Sequence, residues 1–293
     1  MEDLSALNGP RRLAISIPNP AWLQDHRFQG RAVLPGVYAL EQLAHSVRQV
    51  YPDVPVTACR DVRFDKFLRL PGPDTASIDA TVDLAPPSKA GIAAVLLTRH
   101  VAAKSGISRQ ITHVQACFGR ADSDPFGDVP APASQQAQAD DFQIIPERLY
   151  AELVPFGRTF RNIVSPVRID GAGAHATVSG GALKTENTFL ALGSMFPLDA
   201  VFHAACAWAQ RFYGVVAFPV AMEQRHIRKP ARCGHTYDAD IRFRGEEGGS
   251  LLFDLSLRDA EGRLCEAVRG LVMRDVSGGK LQPPAWIRAD LTD

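Results

Sequence analysis

The chain has 293 residues, 46% apolar and 22% charged, an ordinary globular composition that excludes disorder for its bulk. Lys plus Arg equals Asp plus Glu at 32 each, so no charge excess draws it onto nucleic acid or an anionic bilayer. The longest apolar run, Val215 to Met222, is broken by Pro219 and falls short of a membrane span, and Met1 to Arg12 lacks the apolar core of a secretory signal; a soluble cytoplasmic protein is expected.

In chain order, the first informative stretch is Trp22 to Val37, where His26 precedes Gly30, Pro35 and Gly36. An imidazole on such a loop lies near the unpaired N–H groups of a helix start, a usable place for carbonyl activation; a loop histidine that merely caps locally is the plain alternative. After Pro35, apolar Val37, Leu40, Leu43, Ala44 and Val47 recur at helical spacing. Period two follows in Ile78, Ala80 and Val82, with a turn expected at Ala103 to Gly106. Ala121 to Asp141 holds three prolines and five aspartates and no Lys or Arg, and reads as a linker.

The second half repeats the pattern. Leu198, Val201, Phe202, Ala205, Trp208 and Phe212 predict a helix after Pro197; Tyr237 to Phe243 and Leu251 to Leu257 predict strands, with a turn at Asp259 to Gly262 before the last one. A shift of 162 carries Pro35 to Pro197, Arg63 to Arg225 and Gly72 to Gly234, as a duplicated unit would. The expected organisation is 1–120, a linker 121–142 and 143–293, each half an α+β unit whose sheet wraps its helix.

Asp199 and His203 lie four apart on one face of the second helix, so the imidazole can orient the carboxylate. An acid in a first helical turn also reads as a macrodipole partner, which would depress its pKa where burial would raise it. The five cysteines show no CxxC pair, which argues against a disulfide framework and a structural zinc site. Gly171 to Ala176 lacks the third glycine of a dinucleotide fingerprint, and Cys233-Gly234-His235 offers two ligands at most, so both read as turns. His45, His100, His113 and His226 are expected in surface or structural roles.

Three motifs in sequence carry a family resemblance. His26-x-x-x-Gly30-x-x-x-x-Pro35, Phe156-Gly157-Arg158-Thr159-Phe160 and Asp199-x-x-x-His203 resemble, in order and spacing, the signatures of polyketide synthase dehydratase domains. Leu34 to Val37, through Glu41, is similar to the helix start of the single-hot-dog β-hydroxyacyl-carrier-protein dehydratases of fatty acid synthesis. The resemblance runs from about Trp22 to about Arg274, with Phe156 standing where the family has Tyr.

The resemblance implies an α+β tandem, or double, hot-dog fold: two antiparallel sheets, each wrapped around a long central helix. It implies loss of water from a 3-hydroxyacyl thioester, with His26 taking the α-proton and Asp199, held by His203, protonating the leaving hydroxyl. The Gly36 N–H would serve the thioester carbonyl. Phe28, Phe156 and Phe160 are expected as acyl-tunnel walls or as plain core, with Gly30, Pro35 and Gly157 beside them as substrate-binding positions. The 162 shift takes His26 to Thr188, which is no base, so one working site is expected, and Glu41 would face the dead one. No metal or redox cofactor is implied. The substrate would ride on the phosphopantetheine of an acyl carrier protein, or on coenzyme A. The chain would act in trans or beside other synthase subunits, with a homodimer left open. Rival readings are a same-fold isomerase, enoyl hydratase or thioesterase, or a silent acyl-binding scaffold subunit.

Overall fold

The computed structural model describes residues 9–101, 107–119, 142–182 and 190–291. The first half runs β1 (Arg11–Pro18), a hairpin of β2 (Arg27–Phe28) and β3 (Arg31–Ala32), α1 (Gly36–Val50), then β4 (Ala58–Phe64), β5 (Ser77–Leu84), β6 (Ile92–Val101) and β7 (Ser108–Phe118). The second half opens with β8 (Phe142–Ile144) and a one-turn helix α2 (Pro146–Arg148) that runs into a π-helical turn, Leu149–Leu153. Strands β9 (Val167–Asp170) and β10 (Gly173–Ser179) precede α3 (Phe196–Tyr213), and β11 (Phe218–Ile227), β12 (Thr236–Glu247), β13 (Ser250–Arg258) and β14 (Leu264–Arg274) follow it.

The duplication read from the sequence reappears as topology. The strand order is β1-β5-β6-β7-β4-β11-β14-β13-β12-β10-β9-β8, so the first five strands and the next five mirror each other about the β4–β11 junction. At that junction Val62 pairs with Met222 and Arg60 with Gln224. A shift of 162 carries Val62 to Gln224 and Arg60 to Met222, which exchanges the two pairs and places a pseudo-twofold axis between them. The two expected sheets are therefore fused edge to edge into one sheet of twelve strands. The fusion satisfies the N–H and C=O groups that β4 and β11 would otherwise expose.

The helices form where the spacing predicts, for visible reasons. Pro35 enters α1 with φ −58° and ψ 136°, and Val37, Leu40, Leu43, Ala44 and Val47 turn inward while His45 and Arg48 stay exposed. Helix α3 is buried on every face from Phe196 to Arg211, which is why its sequence is apolar almost all round. Gly214 ends it at φ 64°, a left-handed position that only glycine takes without strain. In β12 Tyr237, Ala239 and Ile241 are buried and alternate with half-exposed Asp238, Asp240 and Arg242. Trp208 of α3, 1% exposed, packs on Phe243 and Phe253 and donates its indole N–H to the Asp170 carbonyl at 2.8 Å.

Several expectations meet the structure at specific residues. The turn at Ala103 to Gly106 falls largely, and the linker from 121 to 141 wholly, outside the described residues; Phe142, taken as the linker's last residue, instead opens β8 by pairing with Ile169. Gly171 to Ala176 forms a tight turn, closed by Asp170 Oδ1 accepting from the N–H groups of Ala172 and Gly173, and then β10. Asp259 to Gly262 is a turn held by Gly262 N–H donating to the Asp259 carbonyl at 2.8 Å. Among the described residues no helix is long and apolar enough to cross a membrane.

Candidate active site

The geometry starts with a two-residue turn. Gln29 (φ 48°) and Gly30 (φ 76°) take the paired positive φ of a type I′ turn, which is why glycine stands at the second position and why the β2–β3 hairpin closes so tightly. Phe28 then faces Arg31, and Arg27 faces Ala32. One step further, Val33 N–H donates to the His26 carbonyl at 2.9 Å, and His26 Nδ1 lies 2.9 Å from the Val33 carbonyl. That carbonyl can only accept, so Nδ1 carries the proton and Nε2 presents its lone pair to the interior. Gly30 thus acts through the turn: it is exposed and does not line the cavity. Pro35 acts through the α1 start and likewise does not line it.

Asp199 lies in the first turn of α3, 5% exposed, with its Oδ1 3.9 Å from His26 Nε2. The two residues come from opposite halves, as expected. His203, one turn along α3, places Nε2 3.2 Å from Asp199 Oδ2, close enough for charge pairing though not aligned as a hydrogen bond. Its other nitrogen, Nδ1, is 3.3 Å from the hydroxyl of Tyr150. Tyr150 Oη already accepts the Ile163 N–H at 3.0 Å, so its own proton goes to His203 Nδ1, and the His203 ring proton is left on Nε2, facing Asp199. Tyr150 is a site residue the sequence reading missed: the π-helical turn that carries it has no periodicity to mark it.

Phe156 lies against both imidazoles. Its ring is parallel to His26 at 4.6 Å and 9°, and 4.7 Å from His203. Phe160, fully buried, backs His26 at 5.0 Å and packs on Trp22 and Phe196; it is a core support, not a cavity wall. Gly157 also stays off the cavity and lies against Asp25.

His26, Asp199 and His203 open onto a cavity of about 310 Å³, within the range of small-molecule sites. Phe28, Leu34, Phe156, Phe202 and Val220 make its walls largely apolar, and Phe28, Phe67 and Phe218 cluster with centroids 4.6 to 6.3 Å apart where Phe67 reaches solvent. Gly36 lines the cavity from the first turn of α1, where its N–H has no intrahelical acceptor; a Cβ there would come within 2.7 Å of the Phe64 ring. His113 also lines it, but Thr98 Oγ1 at 2.8 Å and the Lys66 carbonyl at 2.9 Å occupy both its nitrogens. Burial pushes the Cys206 thiol, in the same wall, up to about 11, so it is no ready nucleophile.

Electrostatics bind the acid and base together. Burial drives the His26 imidazole below its ordinary range, Asp199 and the Val33 carbonyl only partly opposing it, so it rests neutral. Burial alone would raise the Asp199 carboxyl; His203 and His26, when protonated, outweigh it and hold the carboxylate below its usual range. This settles the contest between dipole and burial in favour of a third influence, the paired imidazoles. A carboxylate with a protonated imidazole and a carboxylic acid with a neutral one carry the same proton, and one shift across the 3.9 Å gap interconverts them.

The counterpart position in the other half is filled. Glu41, 4% exposed, accepts the N–H groups of Ala191 and of Leu192, the latter at 2.9 Å. Burial pushes Glu41 up, against these two donors and Arg225. Glu41 therefore ties down the approach to α3; Thr188, the counterpart of His26 in the shift, lies outside the described residues.

Comparisons with known proteins agree with this layout. Residues 12–98 match the family model described as the polyketide synthase dehydratase domain, and residues 127–283 match the one described as the polyketide synthase dehydratase N-terminal domain. The dehydratase domain of PpsC from Mycobacterium tuberculosis, solved in complex with C12:1-CoA, is 20% identical with a TM-score of 0.67, covering 94% of this chain and 96% of that one. The dehydratase domain of RzxB from Pseudomonas fluorescens is 16% identical with a TM-score of 0.67, covering 90% and 94%. No curated protein sequence matches.

Proposed function

This chain belongs to the polyketide synthase dehydratase family and dehydrates 3-hydroxyacyl chains in polyketide biosynthesis, and on that premise we propose that its substrate is an acyl thioester handled by His26 and Asp199. The observation that carries the assignment of roles is the 3.9 Å approach of His26 Nε2 to Asp199 Oδ1 inside one apolar cavity.

The residues divide the elimination between them. Neutral His26 removes the α-proton at Nε2, and its Nδ1–H bond to Val33 holds the ring in the required tautomer. Electrons of the broken C–H bond form the α,β double bond as the β C–O bond breaks. The departing hydroxyl takes the proton of Asp199 and leaves as water. Gly36 N–H is the donor for the thioester oxygen as enolate charge develops. The cycle leaves protonated His26 beside ionised Asp199, the pair whose attraction lowers the carboxyl; one proton shift restores the starting state. Phe156 and Phe160 shield the imidazole from water, so these charges interact in a poorly screened site.

Relatives support the thioester: the PpsC domain was solved with C12:1-CoA, an unsaturated acyl thioester of the product class. A carrier protein is the proposed donor of the substrate, with coenzyme A as the simpler carrier. A thioesterase needs a nucleophile or a poised water, and burial leaves the wall thiol of Cys206 protonated. The reading is tested by incubating a 3-hydroxyacyl carrier protein with the chain and following loss of one water by mass spectrometry. His26→Ala and Asp199→Asn should abolish that loss while the proteins stay folded. A silent scaffold would show no loss in any of them.

A further inference from the structure

We propose that Asp25 is a positioning residue that locks the two halves of the active site in register by capping, from the first half, the turn of the second half that carries Phe156. The inference rests on the dehydratase reading above and adds to it a residue that does not line the cavity.

The one-turn 3-10 segment Arg158–Phe160 begins from Gly157, which as the N-cap residue has no side chain to satisfy the N–H groups that follow. Asp25 supplies the missing cap across 134 residues of sequence. Its Oδ2 accepts from Thr159 N–H at 3.0 Å and from Thr159 Oγ1 at 2.7 Å. Its backbone carbonyl accepts from Gly157 N–H at 2.8 Å. The approach is so close that a Cβ on residue 157 would collide with Asp25 Oδ1, which accounts for the glycine.

What the clamp holds is catalytic geometry. Asp25 precedes His26, and Gly157 follows Phe156, so the three hydrogen bonds join the base directly to the ring stacked on it at 4.6 Å. The same ring meets His203 at 4.7 Å, so the clamp also sets the distance from His26 to the α3 groups. The titratable groups facing His26 are Asp199 and His203, both on α3; its other neighbours are the Phe156 and Phe160 rings and the Val33 carbonyl. Releasing the clamp moves Phe156 off the imidazole, admits water to that face, and lets His26 titrate closer to a free imidazole.

The experiment uses the full chain with Asp25→Ala, Asp25→Asn and Thr159→Val, a 3-hydroxyacyl pantetheine thioester as substrate, thermal melts and a pH–rate profile. Asp25→Ala should lower kcat roughly 10- to 100-fold, the scale of a misplacement near 1 Å, with KM changed by less than about twofold. Its acid limb should move upward in pH. Asp25→Asn keeps an oxygen that can accept both Thr159 bonds and should stay within about threefold of the parent. Thr159→Val removes one bond and should fall between, with its acid limb moved the same way, which keeps the test open if Asp25→Ala does not fold. The proposal is overturned if all variants keep the parent's kcat and acid limb, or lose turnover only in proportion to the unfolded fraction. A parent chain that removes no water contradicts the dehydratase reading instead.

Discussion

Replacing Tyr150 by Phe removes one oxygen and tests how the acid is held. That oxygen accepts the buried Ile163 N–H at 3.0 Å and faces His203 Nδ1 at 3.3 Å. Stranding the N–H costs about 1–3 kcal/mol. For a chain of this size that is a fall in Tm of roughly 2–10 °C. Turnover should drop further than stability explains. Without the hydroxyl, nothing fixes the His203 ring proton on Nε2, and the carboxyl of Asp199 loses its oriented neighbour; a fall in kcat of about ten- to a hundredfold follows, with substrate binding little changed. Thermal melts paired with single-turnover dehydration separate the two effects. If Tyr150→Phe melts lower yet turns over at the parent rate, His203 is not oriented through Tyr150 and the proposed relay is wrong.

Three further outcomes are expected. Glu41→Ala leaves the N–H groups of Ala191 and Leu192 without their acceptor and should cost about 2–4 kcal/mol in denaturant titrations, with kcat per folded molecule unchanged; a matching loss of kcat would put Glu41 in the working site. His26 must be neutral to act and burial lowers its pKa, so kcat/KM should stay level as pH falls through about 6.5 and decline only below it; an acid limb at or above that value contradicts a buried neutral base. Cys206→Phe fills part of the cavity wall and should raise KM for long acyl chains while sparing short ones, measured across a chain-length series; equal effects on all lengths would remove Cys206 from the acyl path.

Much of this architecture is legible in the chain because it is written in periods and offsets. The helical stripe from Val37 to Val47, the alternation of Tyr237 to Ile241 and the 162-residue shift are local or repeated signals, and each reappears as α1, β12 and the mirrored sheet. The approach of His26 to Asp199 was readable only through the family resemblance, since nothing local joins residues so far apart. What stayed hidden follows the same logic. Tyr150 works through His203, 53 residues on, and Asp25 through Thr159, 134 residues on, so neither leaves a spacing pattern. Gly30, Pro35, Gly157 and Phe160 were read as substrate contacts because motifs mark them. The structure gives each a backbone or core task instead: a type I′ turn, a helix entrance, a close approach and a support behind His26. The fused twelve-stranded sheet was also out of reach, because edge pairing of β4 with β11 depends on where two distant strands end up.

The most direct measurement is the mass of a 3-hydroxyacyl chain on its carrier protein before and after exposure to the parent chain, His26→Ala and Asp199→Asn. A single water lost with the parent and retained with both folded variants is the predicted result. Undiminished loss with either variant, or none with the parent, would contradict an elimination carried out between that imidazole and that carboxyl.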